Sequence, residues 1–314
     1  MITELKRGIW LRYLWLLLPL AGVAEPLIGA YQGRRFPRVQ EWVELKPQIA
    51  ALKGPRDLVI IAPRWAEPIA RHAFGDELMP IVNCARADEA SFERVIEIDA
   101  LSEHDSGVAS WPLLSDRAFG NFRVELRKNP DYRSIGFTMI DHVRPPDLRV
   151  FETHNGKKLE CQYTTTATPS AGGLLGRPMF PLERFTCGRS EANFVGITII
   201  DDQNFGPRRC IWANPAPGDT IALVFSPVLL QRAVHGYVGL PYFTFRDEGW
   251  RPIEMSLSVD QVKIGSHLHV PESGWQPFEF ATTQYEGQLA QVEFAIKDTG
   301  DPREHELCFY ADVR

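Results

Sequence analysis

The 314 residues contain no Cys-x-x-Cys pair, no Gly-x-Ser-x-Gly elbow, no glycine-rich loop ending in lysine and no His-Glu-x-x-His. Those absences remove the usual sequence signatures of zinc ribbons, α/β-hydrolases, nucleotide-phosphate cradles and zinc proteases. A cationic face is lacking too. The net charge is -6 and lysine and arginine interleave with acids, whereas a nucleic-acid partner needs concentrated positive charge. Long helical patterns are scarce after residue 80, and there is no internal repeat or low-complexity tract. The 40 acidic residues include no pair that the sequence singles out for glycoside hydrolysis.

What is present is ordinary globular usage, 44% apolar and 24% charged, in a length that suits one large or two ordinary domains. The 24 prolines and 24 glycines punctuate the chain often, as many short strands and turns require.

One stretch is apolar enough for a membrane. Ile9 to Tyr31 includes the uncharged run Tyr13 to Ala24, preceded by Lys6, Arg7 and Arg12. Two readings stay open. A cleaved signal peptide has this basic start and apolar centre, with Gly22-Val23-Ala24 as a passable cleavage site. A signal anchor needs about 20 spanning residues, reached by letting Arg12 snorkel and by placing Glu25 at the interface. Arg34, Arg35 and Arg38 nearly balance the charge across the segment, so charge alone does not orient it.

Five cysteines follow: Cys84, Cys161, Cys187, Cys210 and Cys308. Cys210 and Cys308 sit in apparent strands at the two ends of a β-rich region. First and last strands of a sandwich are often neighbours, so a Cys210–Cys308 disulfide is expected. Cys161–Cys187 is the corresponding second pair, with Cys84 left over. The alternative is five reduced, buried thiols behaving as small hydrophobes. Either disulfide would place the domain outside the cytoplasm.

Residues 37–53 carry a helical stripe that ends at Gly54-Pro55. Leu58 to Ala62 is a short apolar run of buried-strand type. A helix over Trp65 to Met79, a second strand over Pro80 to Cys84 and a third over Phe92 to Ile98 complete a small α/β layer. A short helix is expected around Pro112 to Ala118. From Phe122 onward a two-residue alternation dominates, broken by Asn155-Gly156, Pro217-Gly218, Glu248-Gly249 and Ser273-Gly274. The fold class is mainly β with a small α/β part. Residues 1–33 are the hydrophobic helix, 34–120 the juxtamembrane helix and α/β layer, and 121–314 a sandwich or jelly roll.

The run Gly274-Trp275-Gln276-Pro277-Phe278, with Tyr285, Gly287, Val292 and Phe294, and the ending Phe309-Tyr310-Ala311-Asp312 resemble the galactose-binding-like β-sandwich. The resemblance extends from Cys210 to the C-terminus. It implies that fold, which hosts carbohydrate-binding modules, enzyme accessory domains and purely structural modules. Residues 56–100 more weakly resemble the extracytoplasmic α/β segment of bacterial membrane glycosyltransferases of the dolichyl-phosphate-mannose type. The chain lacks that family's many membrane helices and its acidic catalytic loop, so transferase activity is not implied.

Candidate ligand contacts are aromatic and polar. Trp250 lies in an apparent loop, where a tryptophan buries little, with His235, Arg246, Asp247 and Arg251 as hydrogen-bonding partners for a sugar. Trp275 is a lesser candidate and Trp212 reads as core. Asp201, Asp202 and Asn204 cluster hard oxygen donors suited to a structural calcium, which the resembled family often carries; the spacing does not match an EF-hand loop, and an ordinary Asx-rich turn explains them. His267 and His269 share one side of a strand, which can begin a metal site. Three functions are weighed. The first is a non-catalytic, membrane-tethered extracytoplasmic protein, single-pass with its bulk periplasmic or extracellular, binding envelope glycans or protein partners. The second is a structural accessory subunit of a membrane protein complex. The third is an envelope sugar hydrolase or transferase.

Overall fold

The computed structural model describes residues 22, 24, 36–166, 181–187, 193–216, 218–242, 252–270, 274–297 and 307–314. The expected anchor or signal over residues 1–33 therefore lies outside the described residues, Gly22 and Ala24 apart. Among the described residues no helix is long and apolar enough to cross a membrane. The chain forms two compact units, one from Met1–Pro80 with Phe92–Pro130, the other from Ile81–Ser91 with Asp131–Arg314.

The first unit is the small α/β part. Helix α1 (Val39–Leu52) buries Trp42, Leu45 and Ile49, the apolar positions at helical spacing. Strand β1 (Asp57–Ala62) pairs in parallel with β2 (Arg94–Asp99), and α2 (Glu67–Phe74) lies in the crossover between them. Trp42 of α1 meets Phe74 of α2 with ring centroids 5.8 Å apart. The sheet is completed by β3 (Leu113–Phe119) and β4 (Phe122–Lys128), in the order β1-β2-β4-β3. Two expectations are corrected here. Residues 113–119 are a strand rather than a short helix, because the tight Gly120-Asn121 turn folds them back onto β4; Gly120 supplies the positive φ of 59°. Residues 81–84 are a short helix, α3 (Ile81–Cys84), rather than a strand, and they belong to the second unit. A short apolar run does not distinguish the two states by periodicity. The four-stranded sheet also reaches past residue 120, taking β4 from the start of the alternating region.

The second unit is a sandwich. Its larger sheet runs β16 (Gln276–Ala281), β13 (Ala233–Gly239), β18 (Leu307–Val313), β11 (Pro207–Ala213), β10 (Phe194–Asp201), β9 (Arg184–Thr186), β8 (Gln162–Thr164), with β5 (Phe137–Thr138) beside β18. The smaller runs β15 (Val262–His269), β14 (Ile253–Val259), β17 (Leu289–Lys297), β12 (Thr220–Leu229), β6 (Leu148–His154), β7 (Lys157–Glu160). Alternate residues of both sheets fill one core. Phe294 of β17 meets Phe309 of β18 across it, centroids 5.2 Å apart. Disulfides join Cys161 to Cys187 and Cys210 to Cys308. The second staples β11 to β18 on the face away from the core, amid Phe194, Ile200 and Trp212.

Candidate functional site

The outer face of the larger sheet carries the site. Pairing of β13 with β18 sets His235 opposite Asp312, Tyr237 opposite Tyr310 and Gly239 opposite Cys308. Pairing of β13 with β16 sets His235 opposite Glu279. Because strand residues alternate, these side chains share the face away from the core. The segment 81–91 lies over part of that face. Ala85 O accepts from the Arg209 backbone N–H at 2.6 Å, Ala87 O accepts from Trp275 Nε1 at 3.1 Å, and Arg86 O accepts from Arg208 Nη1 at 3.0 Å. Beside this covering strap a cleft of about 460 Å³ stays open, lined by Asp88, Arg133, Arg232, His235, Tyr237 and Glu279 among others.

A buried ionic network forms its floor. Arg314 donates to both oxygens of fully buried Asp312, at 2.6 and 2.8 Å, and to Asp88 Oδ2 at 3.0 Å. Burial pushes the Asp312 carboxyl up, and the Arg314 hydrogen bonds oppose that shift. Tyr237 stacks on Trp275 with rings 5° from parallel and centroids 6.0 Å apart. Gly239 leaves room for this, since a Cβ there would lie 2.7 Å from the Trp275 ring. Burial pushes the Tyr237 phenol up to about 12 and raises that of Tyr310 further. Burial, with Arg314 nearby, holds the His235 imidazole below its ordinary value. Its Nδ1 is buried without a hydrogen-bond partner among the described residues. Near neutral pH the cleft therefore presents a neutral imidazole and a neutral phenol between carboxylates and guanidiniums. That is a set of fixed donors and acceptors, suited to hydroxyl groups.

Of the residues expected at the ligand site, His235 lies in this cleft. Arg246, Asp247, Trp250 and Arg251 lie outside the described residues. Tyr237, Glu279 and Arg314 were not evident in the sequence, because pairing across three strands brings them together, nor was Asp88, which the 81–91 segment brings to Arg314. Trp275 lies on the same face, and Trp212 is buried beside the Cys210–Cys308 bond. Asp202 is buried and committed locally. Its Oδ1 accepts the Asn204 and Gly206 backbone N–H groups, each at 2.8 Å, and its Oδ2 accepts Arg208 Nε at 2.8 Å. A cation at Asp201, Asp202 and Asn204 would have to displace Arg208. His269 is buried with Nδ1 3.3 Å from Gln276 Oε1. Neither His267 nor His269 falls in a group of three potential metal-ligating side chains among the described residues.

Among the described residues one such group exists, in the first unit: Glu97, His104 and Glu125. Glu97 and Glu125 are cross-strand neighbours on β2 and β4 and are buried. Arg127 bonds to both, with Nε 3.2 Å from Glu97 Oε2. It also donates to Ala109 O and Trp111 O at 3.0 and 2.9 Å, tying the 100–112 loop to the sheet. A guanidinium thus holds the place between the carboxylates. A hollow of about 430 Å³ in the same unit, lined by Glu41, Gln48, Asn121 and their neighbours, brings no guanidinium or imidazole.

No protein-family model matches the sequence, and no curated protein matches it. Solved structures align weakly. CBM51 from a Clostridium perfringens GH95 protein, in complex with methyl-galactose, is 11% identical over 38% of this chain and 81% of its own, with a TM-score of 0.27. The mannan-recognising carbohydrate-binding module TmCBM27 is 10% identical over 38% of this chain and 81% of its own, with a TM-score of 0.27. A Bacillus subtilis family 43 arabinoxylan arabinofuranohydrolase is 11% identical over 70% of this chain but 41% of its own, again at 0.27. At these scores the likenesses carry no argument about this chain, whose sandwich is established by its own strand pairing. The comparisons lend no support to the glycosyltransferase resemblance of residues 56–100.

Proposed function

We propose that this chain is a non-catalytic extracytoplasmic protein, held at a membrane through residues 9–31, that binds an envelope glycan on the outer face of its larger sheet. The observation that carries the reading is the open cleft in which neutral His235 and Tyr237 stand between Asp88, Glu279, Arg133 and Arg232. Sugar hydroxyls both donate and accept, and such a mixed rim satisfies both roles. The two disulfides support a compartment that is not reducing. The resemblance of residues 210–314 to galactose-binding-like modules agrees with this reading, and Arg246, Asp247, Trp250 and Arg251 remain sequence-based candidates for further contacts.

The test is a glycan array probed with the full chain, with the bound sugar recovered and sized. Binding of an intact envelope glycan is the expected result. Silence across the array and across cell-wall preparations, with a protein co-purifying instead, would end the glycan reading.

A further inference from the structure

The first unit exposes an apolar patch that its own fold does not use. Phe36 is 43% exposed and Trp65 53% exposed, and their rings meet edge to face at 5.3 Å. Val39 and Val43, one helical turn apart on α1, and Ile69 on α2 are exposed as well. The two helices pack on each other so that the Phe36–Trp65 contact lies at their starting ends and the Trp42–Phe74 contact further along. The exposed aromatics therefore gather at the end of the unit where the chain arrives from residues 9–31. Arg38 and Arg64, both exposed, flank the aromatic pair. Neither makes an ion pair with another described residue.

We infer that this patch is a bilayer-docking surface: Phe36, Trp65 and Ile69 rest in the interfacial layer of the membrane, and Arg38 and Arg64 meet the phosphates of anionic lipids. The inference rests on the tether half of the proposed function. Continuity with the most apolar segment of the sequence selects lipid as the occupant. Leaving Ile9 to Tyr31 in a bilayer would place Phe36, five residues past its end, within reach of the same interface. Aromatic rings favour that layer, where an apolar body and the headgroup region meet. Guanidiniums beside them suit phosphate by charge and geometry. A patch of exposed large apolar side chains rimmed by cations marks an interaction surface, and on this protein the surface adjoins the route to the membrane. Docking there would limit the swing of the first unit on its tether.

The test uses the full chain in vesicles of phosphatidylcholine and phosphatidylglycerol. Single nitroxides are placed by Leu17→Cys, Trp65→Cys, Ile69→Cys and, as a solvent control, Lys263→Cys. Four native cysteines are in disulfides and Cys84 is buried, so the label reports the introduced thiol. The expected result is a ratio of oxygen to nickel-chelate collision severalfold higher at positions 65 and 69 than at 263, alongside a membrane signal at 17. A membrane signal at 17 with positions 65 and 69 matching 263 would overturn the docking inference and leave the tether standing. Position 17 matching 263 would overturn the tether and the inference with it. Shielding of 65 and 69 from both reagents, in detergent as in vesicles, would show that protein covers the patch, and would overturn the lipid assignment.

Discussion

Arg127 shows what a single side chain holds together. It is nearly buried, bonds to buried Glu97 and Glu125, and fastens the 100–112 loop through two carbonyls. Arg127→Ala would take the shared guanidinium from two buried carboxylates, leaving Glu125 only the half-exposed Arg123 at 3.1 Å, and equilibrium unfolding should show a loss of about 3–5 kcal/mol. Neutralising the pair as well, with Glu97→Gln and Glu125→Gln, should recover part of it; no recovery would refute the charge argument. His269 supplies a pH signature. Burial holds its imidazole at about 4, against an ordinary 6.5. The folded state thus prefers neutral imidazole, and the unfolded chain binds the extra proton between those values. Its stability contribution is whole above about pH 6.5 and declines as pH falls to about 4, by about 3 kcal/mol in all. Denaturant titrations of wild type and His269→Gln across that range should converge toward acid, and parallel curves would contradict the assignment. Neither feature was legible beforehand. Glu97 and Glu125 looked like the polar half of an alternation, because a loop covering that face leaves no periodic trace.

Among the elements, β13 is bonded on both edges and carries both His235 and Tyr237. At Gly236 an added Cβ would lie 2.0 Å from Tyr310 O and 2.5 Å from the Phe278 ring. Gly236→Ala should therefore cost about 1–3 kcal/mol or more by overpacking, read as a lower melting temperature. Unchanged melting would mean that β16 and β18 are not set as tightly as described. Strand rhythm was legible wherever one face is wet and one dry, as in β14, whose burial alternates residue by residue. It failed at β3, whose exposed edge position gives no alternation, and at α3, too short to show a helical period. Which strands neighbour one another was not legible, because register between distant segments is fixed by packing rather than by local pattern. The cleft depends on that register and on the 81–91 segment that carries Asp88, which is why Tyr237, Glu279 and Asp88 were not visible as partners of His235.

For the molecule as a whole, the two disulfides carry the compartment argument, and they join the pairs expected from the sequence, although Cys210 lies on β11 in the middle of the sandwich rather than on its first strand. Cys210 and Cys308 are 98 residues apart in sequence. Replacing both with alanine should cost about 2–5 kcal/mol and lower the melting temperature; an equal effect of thiol reductant on wild type and variant would mean that the bond does not form. The central claim is that the outer-face cleft binds glycan without cutting it. Its most direct test is calorimetric titration of the full chain with an envelope glycan recovered from the array. Tyr237→Ala, which removes an aromatic face, and Glu279→Gln, which alters an exposed acceptor while leaving the fold intact, are compared with wild type. The account predicts that each weakens binding, Tyr237→Ala by about tenfold, with the sugar recovered at its original length. Wild-type affinity in both variants, or a shortened sugar, would contradict it.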